Sequence, residues 1–162
     1  MSVSSLQLFA VGSSKLKGNA PLGIRLCNPL NIIRSSATWQ GLTEIQKHPH
    51  FCEFHTLEYG WRAAIINIAV TYRKRGWDTI EKIITHWAPP NENPTSKYIG
   101  FVEQYTGIPR HKQLEDIRKN PSEYRLVLIG MAKFEQGYVW INPTVIDRFD
   151  KALSRLLQKD SP

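Results

Sequence analysis

From Trp61 onward, apolar residues recur at helical spacing. Trp61, Ala64, Ile65, Ile68, Ala69 and Tyr72 fall at i, i+3, i+4, i+7, i+8 and i+11, one stripe of an amphipathic helix that ends near Gly76. Asp78-x-x-Glu81 reads as a capping box for a second helix, with Ile80, Ile83, Ile84 and Trp87 inward and Pro89-Pro90 as its stop. Asn93-Pro94 reads as an N-cap followed by Pro at the first helical position. It opens a third helix carrying Tyr98, Ile99, Val102 and Tyr105, closed by Gly107 and Pro109. A turn region with a short helical piece runs through Arg118. The next helix starts near Ser122 and includes the apolar run from Leu126, stopping at Glu135-x-Gly137. Asn142-Pro143 opens a last helix with Val145, Ile146, Phe149, Ala152, Leu153 and Leu156 inward.

The first third of the chain follows another pattern. Residues 1–20, rich in Ser, Gly and Lys, read as a flexible arm, and residues 21–160 as the folded domain. Between 23 and 60 the chain is expected to form turns and short strands. Asn28-Pro29 with Asn31 marks one turn and Trp39-Gln-Gly41 a second break. His48 to His55 alternates, which would place His48, His50, Cys52 and Phe54 on one strand face. The expected fold class is mainly α (α+β): a single helical domain with a small β element near the N-terminus. A chain of 162 residues with 41% apolar content can bury one core and is short for two.

A formal charge of +7 draws the chain toward anionic polymers: nucleic acid, membrane surfaces or bacterial wall polymers. Its cations are scattered, and the one run, Arg73-Lys74-Arg75, sits at a helix end where cations are favoured in any case. No basic stripe with interleaved aromatics and no helix-turn-helix signature appears, so nucleic acid ranks last among partners. No apolar stretch is long enough to span a bilayer. The apolar patch at Leu6 to Val11 has no basic residue before it and makes a poor signal peptide. The expectation is a protein made in the cytoplasm; if its target lies outside, something else must deliver it.

The residue with the clearest chemical possibility is Glu135. A helix that carries one carboxyl to its last turn and breaks at Gly can hold it half-buried at a cleft mouth. Burial raises a carboxyl pKa and makes a general acid near neutral pH. The plain alternative is a solvated helix end. Cys27 and Cys52 make no disulfide framework. Either could serve as nucleophile of a Cys–His hydrolase, such as a peptidoglycan amidase, with His55 or His86 as base, though nothing fixes such a pair. His48, His50 and Cys52 at i, i+2, i+4 do not match the usual zinc spacings and lack an evident fourth ligand, so no metal and no cofactor is expected.

Gly23-Ile-Arg-x-x-Asn28-Pro-x-Asn31-Ile, Trp39-Gln-Gly41, Glu58-Tyr-Gly60-x-Arg62-Ala63, Trp87-Ala-Pro-Pro-x-Glu92-Asn93-x-Thr95-x-x-Tyr98-Ile and Phe134-Glu135-x-Gly137 resemble a family of small phage and bacterial-genome proteins described as phage virion structural proteins. The likeness spans roughly Gly23 to Gly137. Leu26-Cys27 and Leu30 depart from it, where the family more often shows Asn and Gly. The chain also looks like a circularly permuted lysozyme-like or lytic transglycosylase domain. There a helix ending in Glu-x-Gly or Glu-Ser-Gly comes first, and the Asn-rich turn and the Thr-x-x-Tyr helix follow. Here the Glu helix comes after both.

That resemblance implies cleavage of peptidoglycan glycan strands, with Glu135 protonating the leaving oxygen. It implies a substrate-binding set of Asn28, Asn31, Trp39, Glu58, Glu92 and Tyr98. Trp offers a flat face for sugars and Asn amides can bind N-acetyl groups. Trp39 and Tyr98 also have plain roles open to them in the core. Glu44, Glu53, Glu58 and Glu92 are the candidates for a second carboxylate, but Glu58 can instead cap a helix and Glu92 anchor the Pro-Pro turn. Peptidoglycan is the implied partner, with a delivery apparatus or immunity protein beside it. The rival is a non-catalytic virion or wall-binding protein of the same fold.

Overall fold

The computed structural model describes residues 19–159; the expected arm at 1–20 therefore lies almost wholly outside the described residues. The order is α1 (Leu22–Arg25), α2 (Leu57–Ile65) continuing as a π-helix (Ile66–Tyr72), α3 (Ile80–Trp87), α4 (Thr95–Thr106), α5 (Ser122–Gln136), a 3₁₀ turn (Tyr138–Trp140) and α6 (Pro143–Lys159). The fold is mainly helical. The anticipated β element amounts to two isolated antiparallel bridges, Ile33 with Phe51 and Leu42 with Phe54. The alternation at His48–His55 does not hold, because Phe51 and Cys52 are consecutive and both buried while His50 is exposed. Tertiary packing of Phe51, whose ring stacks on His48 at 5.1 Å, overrides the period-2 pattern.

α5 is the centre of the molecule. Every residue from Val127 to Gln136 is buried; the run Val127–Ala132 is apolar on all sides, and Lys133, Glu135 and Gln136 are buried polar groups beyond it. α4 packs on one side of it, and α1 touches its last turns. α2 pairs with α6, where Trp61 meets Phe149 edge-on at 5.1 Å and donates its indole N–H to the Val145 carbonyl at 3.0 Å. Ile80, Ile83 and Ile84 of α3 are fully buried, each contributing roughly 1.5–3 kcal/mol of burial.

Two helix starts lie one residue past their expected places. Thr79, not Asp78, caps α3, accepting from the Lys82 N–H at 3.1 Å. Asp78 instead accepts from the Gln113 amide at 2.8 Å. α4 begins at Thr95, whose hydroxyl donates to the Ala88 carbonyl, and Asn93 donates back to Pro89 at 3.0 Å. Thr56 caps α2, accepting from Tyr59 N–H at 3.3 Å, so Glu58 is a first-turn residue and not the cap. Asn142 does act at the start of α6, accepting from the Val145 N–H at 3.1 Å.

Candidate functional site: a buried carboxylate clamp beneath an aromatic cleft

The turn after α1 is built by Asn28. Its amide donates to the carbonyls of Ile32 at 3.0 Å and Cys52 at 2.9 Å, and its oxygen accepts from the Ile32 N–H at 2.9 Å. This closes the 28–32 turn and fastens it to the bridge region. Asn28 is fully buried and its side chain is committed internally. The turn forces Asn31 into the left-handed region, φ 54°, a conformation Asn tolerates better than most residues.

In that position Asn31 reaches across the fold to α5. Its amide donates to Glu135 Oε1 at 3.0 Å. From α4, the Tyr98 hydroxyl donates to Glu135 Oε2 at 2.9 Å. Gln136 Nε2 donates to Asn31 Oδ1 at 3.1 Å and to the Pro29 carbonyl at 3.0 Å. Gly137, at φ 95°, then stops α5. Three of the five motif-bearing segments thus converge on one carboxyl group.

Glu135 is 0% exposed, whereas the sequence suggested a half-buried group at a cleft mouth. The continuous burial of α5 is the reason. Burial, with the negative charge of Glu135 beside it, pushes the Tyr98 phenol well up, so Tyr98 remains a proton-bearing donor. Its ring stacks on Phe134 at 4.2 Å.

Above this clamp is a cleft of about 310 Å³. Asn31 belongs to both, lining the cleft with one face of its residue and holding Glu135 with its amide. Trp39, Trp87, Tyr72 and His86 supply aromatic walls, and Asn67 adds a polar group. The Trp87 indole N–H is fixed on the Leu30 carbonyl at 3.3 Å. Trp77 stacks on His86, centroids 3.6 Å apart, with the Arg75 guanidinium 5.3 Å from the Trp77 ring centre. Among the described residues no Asp or Glu lines this cleft.

The other expected site residues lie elsewhere. Glu58 pairs with Arg155 at 2.8 Å in the groove between α2 and α6. Glu92 is exposed on the turn after α3, its N–H donating to Pro89 at 3.2 Å. Glu44 pairs with His55 at 3.1 Å, 82% exposed. Glu53 Oε1 is buried without a hydrogen-bond partner among the described residues, and its charge bears on Cys27. Burial first, then that charge, pushes the Cys27 thiol up; burial also raises Cys52. Raised thiols make poor nucleophiles. Among the described residues no three His, Cys, Asp or Glu side chains cluster to hold a metal ion. None of their helices is long and apolar enough to cross a membrane.

Sequence reasoning placed Tyr72 and Trp87 in the core and did not single out Asn67 or His86 for the cleft. The π-helix delivers Asn67 and Tyr72 together. π segments recur at functional sites, and an Asn inside the Ile65-Ile66-Asn67-Ile68 run is the signal that marked this one.

The chain is 39% identical over 135 residues to Protein P5 of Pseudoalteromonas phage PM2, an alignment covering 82% of this chain and 79% of that protein. It belongs to the Protein P5 family. No family model matches it. The aligned share of the P5 protein indicates a shared domain and not a short motif.

Proposed function

We propose that this chain is a virion-associated phage protein that binds wall glycan through the aromatic cleft without cutting it. The observation that carries the non-catalytic reading is the state of Glu135. Both its oxygens are held by buried donors, it has no exposed surface, and among the described residues the cleft above offers no carboxylate of its own. A general acid must come within hydrogen-bond reach of the glycosidic oxygen. The kinship with a phage protein supports the virion setting. Trp39, Trp87 and Tyr72 offer stacking faces, and Asn31 and Asn67 offer amides for acetamido groups.

A second reading is kept by one observation. Asn31 lines the cleft and touches Glu135, so displacement of that single side chain would open the carboxyl to a bound sugar. Glu135 would then act as the acid of a lysozyme-like or lytic transglycosylase reaction.

Purified peptidoglycan sacculi separate the two. Wild type and Glu135→Gln are expected to cosediment with sacculi and release no glycan fragments by mass spectrometry. Trp39→Ala and Trp87→Ala are expected to bind about tenfold more weakly, the loss of roughly one stacking contact. Fragments released by wild type and not by Glu135→Gln would establish the catalytic reading. Absence of cosedimentation would remove the glycan partner. Detection of the protein in purified phage particles tests the virion setting, and its absence there would overturn it.

A further inference from the structure

We propose that the groove between α2 and α6 is a second binding site, taking a phosphomonoester with an apolar or aromatic tail. It stands independently of the aromatic cleft and of any role in glycan binding. The groove encloses about 240 Å³, and its floor is made by Tyr59 and Leu156, with Arg62, Arg155 and Lys159 around it. On α2, Glu58 and Arg62 are one turn apart; on α6, Arg155 and Lys159 are one turn apart. Both pairs therefore face the same channel.

The charge in this groove is unbalanced. Among the described residues three cations face one carboxylate, Glu58, and that carboxylate pairs with Arg155 at 2.8 Å. Arg62 is partly buried, and its guanidinium has no hydrogen-bond or ion-pair partner among the described residues. The donors of that guanidinium are therefore available to an anion in the groove. Two uncompensated positive charges match a phosphomonoester, which carries about −1.5 to −2 at neutral pH, better than a single carboxylate. Guanidinium groups bind phosphate oxygens bidentately. The Arg155 side chain is 71% exposed, so its pair with Glu58 is weak enough for the guanidinium to swing to a ligand. The apolar floor would then cover a tail attached to the phosphate.

Titration of the full chain with phenyl phosphate, followed by ¹H–¹⁵N NMR at constant ionic strength, tests this. Shifts are expected to concentrate on the Arg62 and Arg155 side chains and around Tyr59, with inorganic phosphate binding more weakly than phenyl phosphate. Arg62→Gln is expected to weaken phenyl phosphate about tenfold, the scale of one lost charged hydrogen-bond pair. Arg155→Gln, at an exposed helix position, serves as the second variant, with a loss in the same direction. Even shifts over all exposed lysines and arginines, or wild-type binding by both variants, would overturn the proposal. Vesicles of phosphatidic acid in phosphatidylcholine distinguish the ligand's source. Retention that phenyl phosphate competes away points to a lipid headgroup, and phenyl phosphate binding without vesicle retention points to a soluble phosphomonoester.

Discussion

Replacing Asn31 with Ala removes one amide from the centre of the clamp, and the loss can be worked out from its partners. Glu135 Oε1 loses a buried donor at 3.0 Å, and a hydrogen bond to a charged group is worth about 1.5–3 kcal/mol. Gln136 loses its acceptor at 3.1 Å but keeps the Pro29 carbonyl, a neutral loss of about 0.5–1.5 kcal/mol. The position has φ 54°, where Ala costs about 1–2 kcal/mol. The expected destabilisation is about 3–6 kcal/mol, a large share of the roughly 5–15 kcal/mol that holds a domain together. Asn31→Gly removes the same side chain but tolerates the backbone, so it should be more stable than Asn31→Ala by about 1 kcal/mol. Urea unfolding of wild type, both variants and each combined with Tyr98→Phe provides the measurement. Because Asn31 and Tyr98 hold the same carboxylate, the two losses should be non-additive. An Asn31→Ala protein within about 1 kcal/mol of wild type would refute the clamp as a stabilising element, since it falls far below the loss of one charged hydrogen bond.

Gly60 lies against the Cys27 carbonyl, which a Cβ there would overlap. Gly60→Ala should therefore displace the turn that presents Asn31, with a loss of at least about 1–3 kcal/mol in urea unfolding, and an unchanged midpoint would contradict that packing. Raising the pH supplies another check. Burial and then the Glu135 charge lift the Tyr98 phenol above its ordinary 10.0, so its contribution to stability is complete below that pH and is lost as pH rises through the folded-state value. Stability should fall above about pH 10, with part of the phenolate absorbance appearing only on unfolding; a Tyr98→Phe variant with the same alkaline slope would exclude Tyr98 as its source.

The helices were legible because their apolar stripes are long. The Trp61–Ala69 face is buried as the spacing predicts even though the chain winds as a π-helix from Ile66; the wider turn leaves no mark on the spacing of apolar residues. Glu135, Asn31 and Tyr98 could be picked out by motif and do meet. Full burial of Glu135 was visible only in part: the run from Val127 to Ala132 is apolar on every side and implies a central helix, but Lys133 interrupts it two residues before Glu135. The cleft walls were harder to read. Trp87 and Tyr72 sit at the ends of their apolar stripes, where the same ring can finish a core or face a cavity, and sequence spacing does not separate the two. Capping residues one position apart, such as Asp78 and Thr79, both satisfy the N-cap chemistry. The distant partner decided between them, since Gln113 occupies Asp78.

The bond from Asn31 to Glu135 spans 104 residues of chain, and that from Gln136 to the Pro29 carbonyl spans 107. Contacts of such separation carry a high closure entropy and form after the local helices. The 28–32 turn is among the earliest parts of the folded region to be synthesised, and its partner on α5 is among the last. Until Glu135 is made, Asn31 has no carboxyl to hold and the clamp cannot close. A nascent or truncated chain ending before α5 should therefore carry its earlier helices with Asn31 unclamped.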